Sequence, residues 1–310
     1  MILSIPYRDF RYTAVLLVVS VALAFSPDAY LPMLARAFML PISLTMLLIS
    51  GLALWKKYQW TFWTALFGAL LLAGQMITPV LPMSNLERGP SRRVFHMNVL
   101  QPNRRFDEAI TEALESGADV VSVQEVSEDW ADALQTGLCG AYPFAHLIPG
   151  ARYHGIAFFS KQPFKQICTF DLAGTPVIEA LFELEGGTVR LVTVHTTSPV
   201  SYGHFQQRNE QFEILARHLM NCDTATIVVG DLNTVPWDGT YQRFCYRTGL
   251  SSTTPFQQRT WPSLGPLAFI PLDHVLVSNG LALRSLRTVD IPGSDHRGLI
   301  AEIQFPQHAQ

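Results

Sequence analysis

The chain has 310 residues, 48% hydrophobic and 15% charged, with a formal net charge of −3 when His is neutral, and its mean hydropathy of +0.19 is high for a wholly water-soluble protein. The excess is uneven: residues 1–83 hold only Arg8, Arg11, Arg36, Lys56, Lys57, Asp9 and Asp28 as charges, whereas residues 84–310 carry the other 17 cations and 23 anions, a net −6, and all nine histidines. That acidic balance excludes a surface that attracts nucleic acid over its whole extent, because such binding rests on Lys and Arg neutralising phosphates, although it leaves room for a local basic groove.

Three apolar runs come first, over residues 12–26, 37–55 and 60–80. The second and third have about the ~20 residues a helix needs to cross a hydrocarbon core. Neither contains a formal charge, and Trp55, Trp60 and Trp63 sit where an interfacial aromatic belt is expected. The first run follows Arg8 and Arg11 and ends in Ala22-Leu23-Ala24, which reads either as a signal-peptidase site or as the end of an uncleaved anchor. Lys56 and Lys57 in the tight loop belong on the cytoplasmic side by the positive-inside rule, which puts residues 84–310 outside. Arg88, Arg92 and Arg93 beyond the third run pull the other way unless they belong to the folded domain. The expected organisation is a membrane anchor over 1–83 with two or three transmembrane helices, a linker over 84–91 (SNLERGPS), and a folded domain over 92–310. So few apolar helices, free of intramembrane charge, exclude a transporter or channel. Cys139, Cys168, Cys222 and Cys245 show no metal-ligand spacing; they could form up to two disulfides or stay reduced in the core.

Beyond the linker, short apolar runs alternate with amphipathic ones. Residues 94–100, 120–126, 156–160, 178–184, 189–195, 226–230, 274–278 and 299–304 read as strands, and 106–116 and 204–220 as helices with apolar residues at helical spacing. Strands outnumber helices, so the domain is mixed α/β.

Polar groups collect at the ends of these strands. Asp231 and Asn233 follow TIVVG, and residues two apart in an extended chain share a face. Gln124-Glu125 ends a second run and His195 a third; Asp273-His274 opens a strand, and Ser294-Asp295-His296 precedes the last. Singly each is an ordinary turn or structural residue. The ordered set Asn98, Gln124-Glu125, His195, Gly230-Asp231-Leu232-Asn233, Asp273-His274, Ser294-Asp295-His296 resembles the endonuclease/exonuclease/phosphatase family over roughly residues 92–305. His154-Gly-Ile-Ala-Phe-Phe-Ser also looks like that family's strand before its histidine, and Thr260-Trp261-Pro262 followed by Pro-Leu-Asp-His is closest to membrane-anchored bacterial members.

The resemblance implies a four-layer sandwich of two mixed β-sheets flanked by helices, here preceded by the transmembrane segment, with the site in a cleft at one end. It implies a metal-dependent phosphoric ester hydrolase, a phosphodiesterase or nuclease using in-line attack of an activated water. Mg²⁺ is the default ion and Mn²⁺ its substitute, because a hard cation on oxygen ligands offsets the charge of a phosphate ester. Glu125 and Asn98 would hold the ion, with Asp295 on the same ion or a second one. Asp231 would activate water and Asn233 hold water or phosphate. His296 would contact a phosphoryl oxygen as imidazolium, with Asp273 fixing its tautomer, and His195 would stabilise the pentacovalent phosphorus. His154, His204, Arg208, Trp237 and Trp261 are read as cleft or structural residues alike, and His274 as structural. The expected substrate is a phosphodiester, a lipid head group or nucleic acid, with no protein partner, in a bacterial inner membrane with the domain extracytoplasmic. The competing reading is a non-catalytic phosphate-binding or scaffold protein on the same fold.

Overall fold

The computed structural model describes residues 7–77, 89–184, 187–220, 224–252, 258–264 and 268–305. The chain divides into two units, Met1–Pro79 with Val235–Gly239, and Val80–Thr234 with Thr240–Gln310.

The first unit holds α1 (Tyr7–Phe25), α2 (Tyr30–Ala37), α3 (Met39–Trp55) and α4 (Gln59–Gln75). Its interior mixes apolar side chains such as Met39, Met46, Leu72 and Met76 with polar ones, and large apolar side chains lie on its surface. Ser20, Ser43, Ser50, Thr61 and Asp9 are buried, while Val18, Leu48, Trp55, Trp63, Phe67 and Leu70 are exposed. The buried hydroxyls bond to helix carbonyls, Ser43 Oγ to Ala69 O at 2.8 Å and Ser50 Oγ to Phe62 O at 3.1 Å. Asp9 caps α4: Oδ1 accepts from Thr61 N at 2.9 Å and Oδ2 from Trp60 N at 3.4 Å, a carboxylate at the positive end of a helix. Small or hydroxylated side chains at helix contacts let backbones approach where the surrounding solvent is apolar.

The expected single span over 37–55 is broken at Phe38, between α2 and α3. Pro41 lies in the first turn of α3, where its missing N–H costs nothing, so the helix starts there rather than running through. The third run is helical to Gln75, and residues 78–80 lie outside the described residues. Among the described residues no single helix is long and apolar enough to cross a membrane; α1 and α2 reach that length and apolarity only together, bent by 106°. A 17-residue helix such as α3 spans about 25 Å at ~1.5 Å per residue, short of a ~30 Å core.

The described residues of the second unit form eleven strands: β1 (Ser91–Asn98), β2 (Val120–Gln124), β3 (Phe144–Ile148), β4 (Ile156–Ser160), β5 (Gln166–Asp171), β6 (Pro176–Leu184), β7 (Gly187–Val194), β8 (Ala225–Asp231), β9 (Asp273–Val277), β10 (Ala282–Asp290) and β11 (Arg297–Gln304). Its helices are α5 (Phe106–Glu115), α6 (Glu128–Leu138), α7 (Tyr202–Leu219) and α8 (Gly239–Thr248). One sheet runs β10-β11-β1-β2-β4-β3 and the other β5-β6-β7-β8-β9. Among the described residues only β1/β2 and β7/β8 pair parallel, each joined through a crossover helix, α5 or α7, as parallel neighbours require.

Strand parity sets the layers. Val94, Val120, Phe158, Leu191, Val229 and Val275 face one another between the sheets. The opposite faces pack on helices: Phe95, Val121 and Phe159 against Ala109, Trp130 and Leu134, and Val192, Val228 and Leu276 against Phe212, Leu215 and Phe244. The result is the expected helix–sheet–sheet–helix sandwich. Burial on both faces explains the short continuous apolar runs.

Strand β1 begins at Ser91, inside the expected linker, because Ser91 pairs with Gln304 of β11; residues 84–88 of that linker lie outside the described residues. Cys139, Cys168 and Cys245 are free thiols, and Cys222 lies outside the described residues.

Candidate active site

The strands that fill the inter-sheet core with apolar side chains turn polar at one end. On the inward face of β1, Val94 is followed by His96 and Asn98; on β2, Val120 by Ser122 and Gln124; on β8, Val229 by Asp231. Just past β7 comes His195, and Asp273 opens β9 directly opposite Asp231. Because β1/β2 and β7/β8 are parallel pairs, four carboxyl ends meet there, the place where crossover sheets collect ligands.

Gln124 ties the two sheets together. Its amide donates to Val194 O and its Oε1 accepts from Asp231 N at 2.8 Å. Gly230 makes that crossing fit: a Cβ there would lie 1.8 Å from Val194 O and 2.4 Å from Gln124 Nε2. Gly230→Ala is therefore expected to cost more than about 4 kcal/mol, the range of severe core overpacking, read as lost cooperative unfolding in a denaturant titration; a variant within about 1 kcal/mol of the native chain would refute the close approach.

Two non-glycine residues in left-handed backbone shape the site, Glu125 at φ 63° and Asn233 at φ 45°. Such conformations are uncommon for residues with a Cβ and concentrate at functional sites. The turn at Glu125 leaves its carboxylate between two donors, Asn98 Nδ2 at 2.9 Å to Oε1 and Gln101 N at 3.0 Å to Oε2. Asn98 Nδ2 also reaches Asp231 Oδ2 at 3.3 Å. Asn233 N donates to Asp231 Oδ1 at 2.9 Å, while the Asn233 amide is engaged by Thr196 O at 2.8 Å.

A histidine–aspartate–histidine chain stands beside these groups. Asp273 Oδ1 meets His96 Nε2 at 2.8 Å and Oδ2 meets His296 Nδ1 at 2.8 Å. The other nitrogen of His296 lies 3.6 Å from Asp231 Oδ2, and His195 Nε2 lies 3.8 Å from the same oxygen. Asp231, Asp273 and His296 thus offer ligand atoms all within 4.8 Å of one another. Asp273 is already saturated by its two histidines, so this trio is better described as a compensated acid–imidazole pair facing the Asp231 carboxylate than as an ion cage.

Burial and charge divide the groups by protonation. Burial would lower His296, but the charges of Asp273 and Asp231 and the bond to Asp273 outweigh it and push the imidazole up to about 10. Burial would raise Asp273, but His296 and His96 hold it well below the usual carboxylate range. Asp231 is raised, first by burial and then by the charge of Asp273. Burial also raises Glu125, against the bonds from Asn98 and Gln101. His195 falls to about 3, through burial and then the charge of His296, so it is a neutral imidazole. Lowest-charge and highest-charge histidines therefore share one carboxylate, the separation that acid–base chemistry uses.

Of the residues singled out in the sequence, Asn98, Glu125, Asp231, Asp273 and His296 are brought into one bonded network, with His195 beside it. Asp295 adjoins it: its charge raises both Glu125 and His296, but its Oδ2 is held by Trp261 Nε1 at 2.9 Å and its Oδ1 is buried without a hydrogen-bond partner. His274 is structural as expected, on the opposite face of β9, bonded to Thr234 O at 2.9 Å and stacked on Tyr241. Arg208 is fully buried over Phe205 and Phe212 and reaches Asn233 O at 3.4 Å. His204 is exposed at the start of α7, and His154 is half-buried. Trp237 is buried, with its indole N–H on Arg36 O at 2.8 Å, which makes it a packing residue of the first unit. The sequence reading missed His96 and took Thr260 only as part of a motif; Thr260 Oγ1 accepts Asp273 N at 3.2 Å. The available signal for His96 was its place two residues before Asn98 on one strand, hence on the same face.

Two mixed sheets flanked by helices, with acids, amides and imidazoles gathered at one end, define a class of phosphoester hydrolases. The model of the Endonuclease/Exonuclease/phosphatase family matches residues 84–296, and the chain belongs to that family. No curated protein matches the sequence. Among solved structures, an endonuclease/exonuclease/phosphatase from Beutenbergia cavernae is 19% identical with a TM-score of 0.57, over 71% of this chain and 72% of that one. Sphingomyelinase C from Streptomyces griseocarneus is 19% identical with a TM-score of 0.50, over 69% and 99%. D. rerio TDP2 complexed with a single-strand DNA product is 15% identical with a TM-score of 0.57, over 69% and 99%. These likenesses are of fold.

Proposed function

We propose that this chain is a membrane-attached, divalent-metal-dependent phosphodiesterase acting on a phosphodiester at or near a bilayer. The observation that carries the reading is the Asp231 carboxylate, raised by burial and set within 3.6 Å of His296 and 3.8 Å of His195. A carboxylate so placed accepts the proton of an attacking water, while the imidazolium of His296 and the neutral N–H of His195 receive charge on the phosphoryl oxygens. Glu125 and Asp295 suit a hard cation: their donors are oxygens, burial leaves Glu125 undercompensated, and Asp295 Oδ1 is buried without a partner; Asn98, whose Oδ1 accepts Leu100 N at 3.0 Å, would join them as a ligand by turning its amide. Bound there, Mg²⁺ or Mn²⁺ would supply electrophilic stabilisation of the phosphoryl group.

Attachment to a membrane is supported by the apolar surface of the first unit, with Leu, Val and Trp exposed while Ser and Thr hydroxyls are buried at helix contacts. Lys56 and Lys57 favour a cytoplasmic loop between α3 and α4, with residues 84–310 on the outer side of a bacterial inner membrane. The net charge of −6 over those residues favours a lipid head group over a nucleic acid. A reporter fused after Gln310 tests the side: activity of a cytoplasm-dependent reporter alone would overturn it.

The full chain is expected to hydrolyse a chromogenic phosphodiester with Mg²⁺ or Mn²⁺, to lose that activity in a chelator, and on Glu125→Gln to lose at least the roughly 10–100-fold that removal of a ligand's outer partner costs. Activity unaffected by chelation would remove the metal. Phosphate-ester binding with no turnover of any tested diester would favour the non-catalytic reading.

A further inference from the structure

One short segment grips both acids that flank the site. Thr260 Oγ1 accepts the backbone N–H groups of Leu272 and Asp273, each at 3.2 Å, and Thr260 O accepts Arg297 N at 2.8 Å. The next residue, Trp261, pairs with Ile270 and sends its indole N–H to Asp295 Oδ2 at 2.9 Å. Ser263 N then donates to Asp295 O at 2.7 Å. Asp295 is thereby held at its main chain and at one carboxylate oxygen.

The other oxygen, Oδ1, is buried and accepts no hydrogen bond. A buried carboxylate oxygen left bare is costly, because it has lost water and gained nothing. Rotation about the Cβ–carboxyl bond would exchange the two oxygens, and only the indole N–H decides which one is spent. Asp295 also faces Glu125 closely enough for its charge to be felt there. Trp261 is half-buried at its isolated bridge to Ile270, where an aromatic residue ordinarily packs.

We infer that Trp261 is a positioning residue whose indole N–H locks Asp295 with Oδ1 turned toward the divalent cation, so that Trp261 sets the affinity for that ion. The inference rests on the metal-dependent reading above. It treats the indole as the outer partner of a ligating carboxylate, a class of contact whose loss weakens metal affinity by about 10–100-fold.

The test is Mn²⁺ binding to the full-length chain, followed by loss of the free-ion paramagnetic resonance signal. Trp261→Phe, which keeps the ring but not the N–H, is expected to weaken binding about 10-fold or more. Asp295→Asn is expected to weaken it at least as far, and adding Trp261→Phe to Asp295→Asn should change nothing further, since the two act through one bond. Affinity of Trp261→Phe within about 2-fold of the native chain, or fully additive losses beyond the ~0.5 kcal/mol scatter of independent sites, would overturn the inference and leave the metal reading standing. A native chain that binds no Mn²⁺ would overturn both, and it is seen without any variant. If Trp261→Phe does not fold, the native chain carries the test by NMR. Mg²⁺ should shift one of the indole N–H signals of its six tryptophans, the same signal that moves in Asp295→Asn. No indole signal common to both changes overturns the role.

Discussion

Asp231→Asn is expected to lower kcat by about 10²–10⁴, the usual contribution of a positioned general base, while leaving the protein more stable at pH 8 than the native chain. The first half follows from what the carboxylate touches. Asp231 Oδ2 is the one oxygen within reach of Asn98 Nδ2, His195 Nε2 and His296 Nε2, at 3.3, 3.8 and 3.6 Å, and Oδ1 is already taken by Asn233 N. An amide of the same shape keeps the Asn233 contact but cannot take a proton from water. The second half follows from the sign of linkage. Burial and the charge of Asp273 raise the folded-state Asp231 above its unfolded range of about 3.9. The folded chain therefore binds more protons than the unfolded chain above that range, and stability falls as pH rises toward the raised value. Removing the charge removes the penalty. Steady-state kinetics and thermal melting at pH 5 and pH 8 read both effects. A variant that keeps more than about a tenth of native kcat would take the role from Asp231. A cation at Glu125 and Asp295 should shrink the stability gain, because it compensates the same charge.

Much of this site was legible because the strands are short. An apolar run that ends in Asp231, Glu125 or His195 has nowhere to put the polar side chain except the edge of the inter-sheet core, and parity assigns the face. The same logic was available for His96, yet VFHMNV reads as one buried strand, and an isolated histidine there looks like a packing residue. Only the fold brings Asp273, 177 positions away, against its Nε2. Nothing in the sequence announces that Glu125 turns into left-handed backbone, or that Gln124 spans from one sheet to the other. Strands β5 and β10 escaped for a different reason: they are largely exposed edges, so neither carries the apolar alternation that marks a half-buried strand. Helix α6 is short and acidic at its start, and its beginning is set by Ser127, whose side chain accepts Trp130 N, a local cap that pattern counting passed over. In the first unit composition indicated apolar helices, but the break at Phe38 depends on where the chain places Pro41 within a turn.

Asp273→Asn should produce the other large effect, and its signature is in the pH profile. Asp273 sits between His96 and His296 and serves each with one oxygen. An amide has only one oxygen, so it cannot accept from both rings, and it carries no charge to hold His296 as imidazolium. Burial alone would lower His296; the charge of Asp273, more than that of Asp231, carries it up to about 10. Loss of an opposite charge at this range is worth about 1–3 pH units. The alkaline limb of kcat/KM is therefore expected to move down from near 10 toward neutrality by that amount, with kcat at pH 8 falling about 10²-fold or more. The stability change has a defined window. The folded His296 lies above its unfolded value of about 6.5, so its contribution is complete below that value and disappears as pH rises through about 10. The folded Asp273 lies below its unfolded value of about 3.9, so its share is present above that pH and is lost on acidification. Breaking a buried pair from one side costs about 3–5 kcal/mol, so denaturant melts at pH 7 should show a loss of that order, shrinking above pH 10 where His296 is neutral in both chains. An alkaline limb that stays in place in Asp273→Asn would mean that His296 does not titrate in the reaction, and the positive charge facing the phosphoryl oxygens would then have to come from the cation alone.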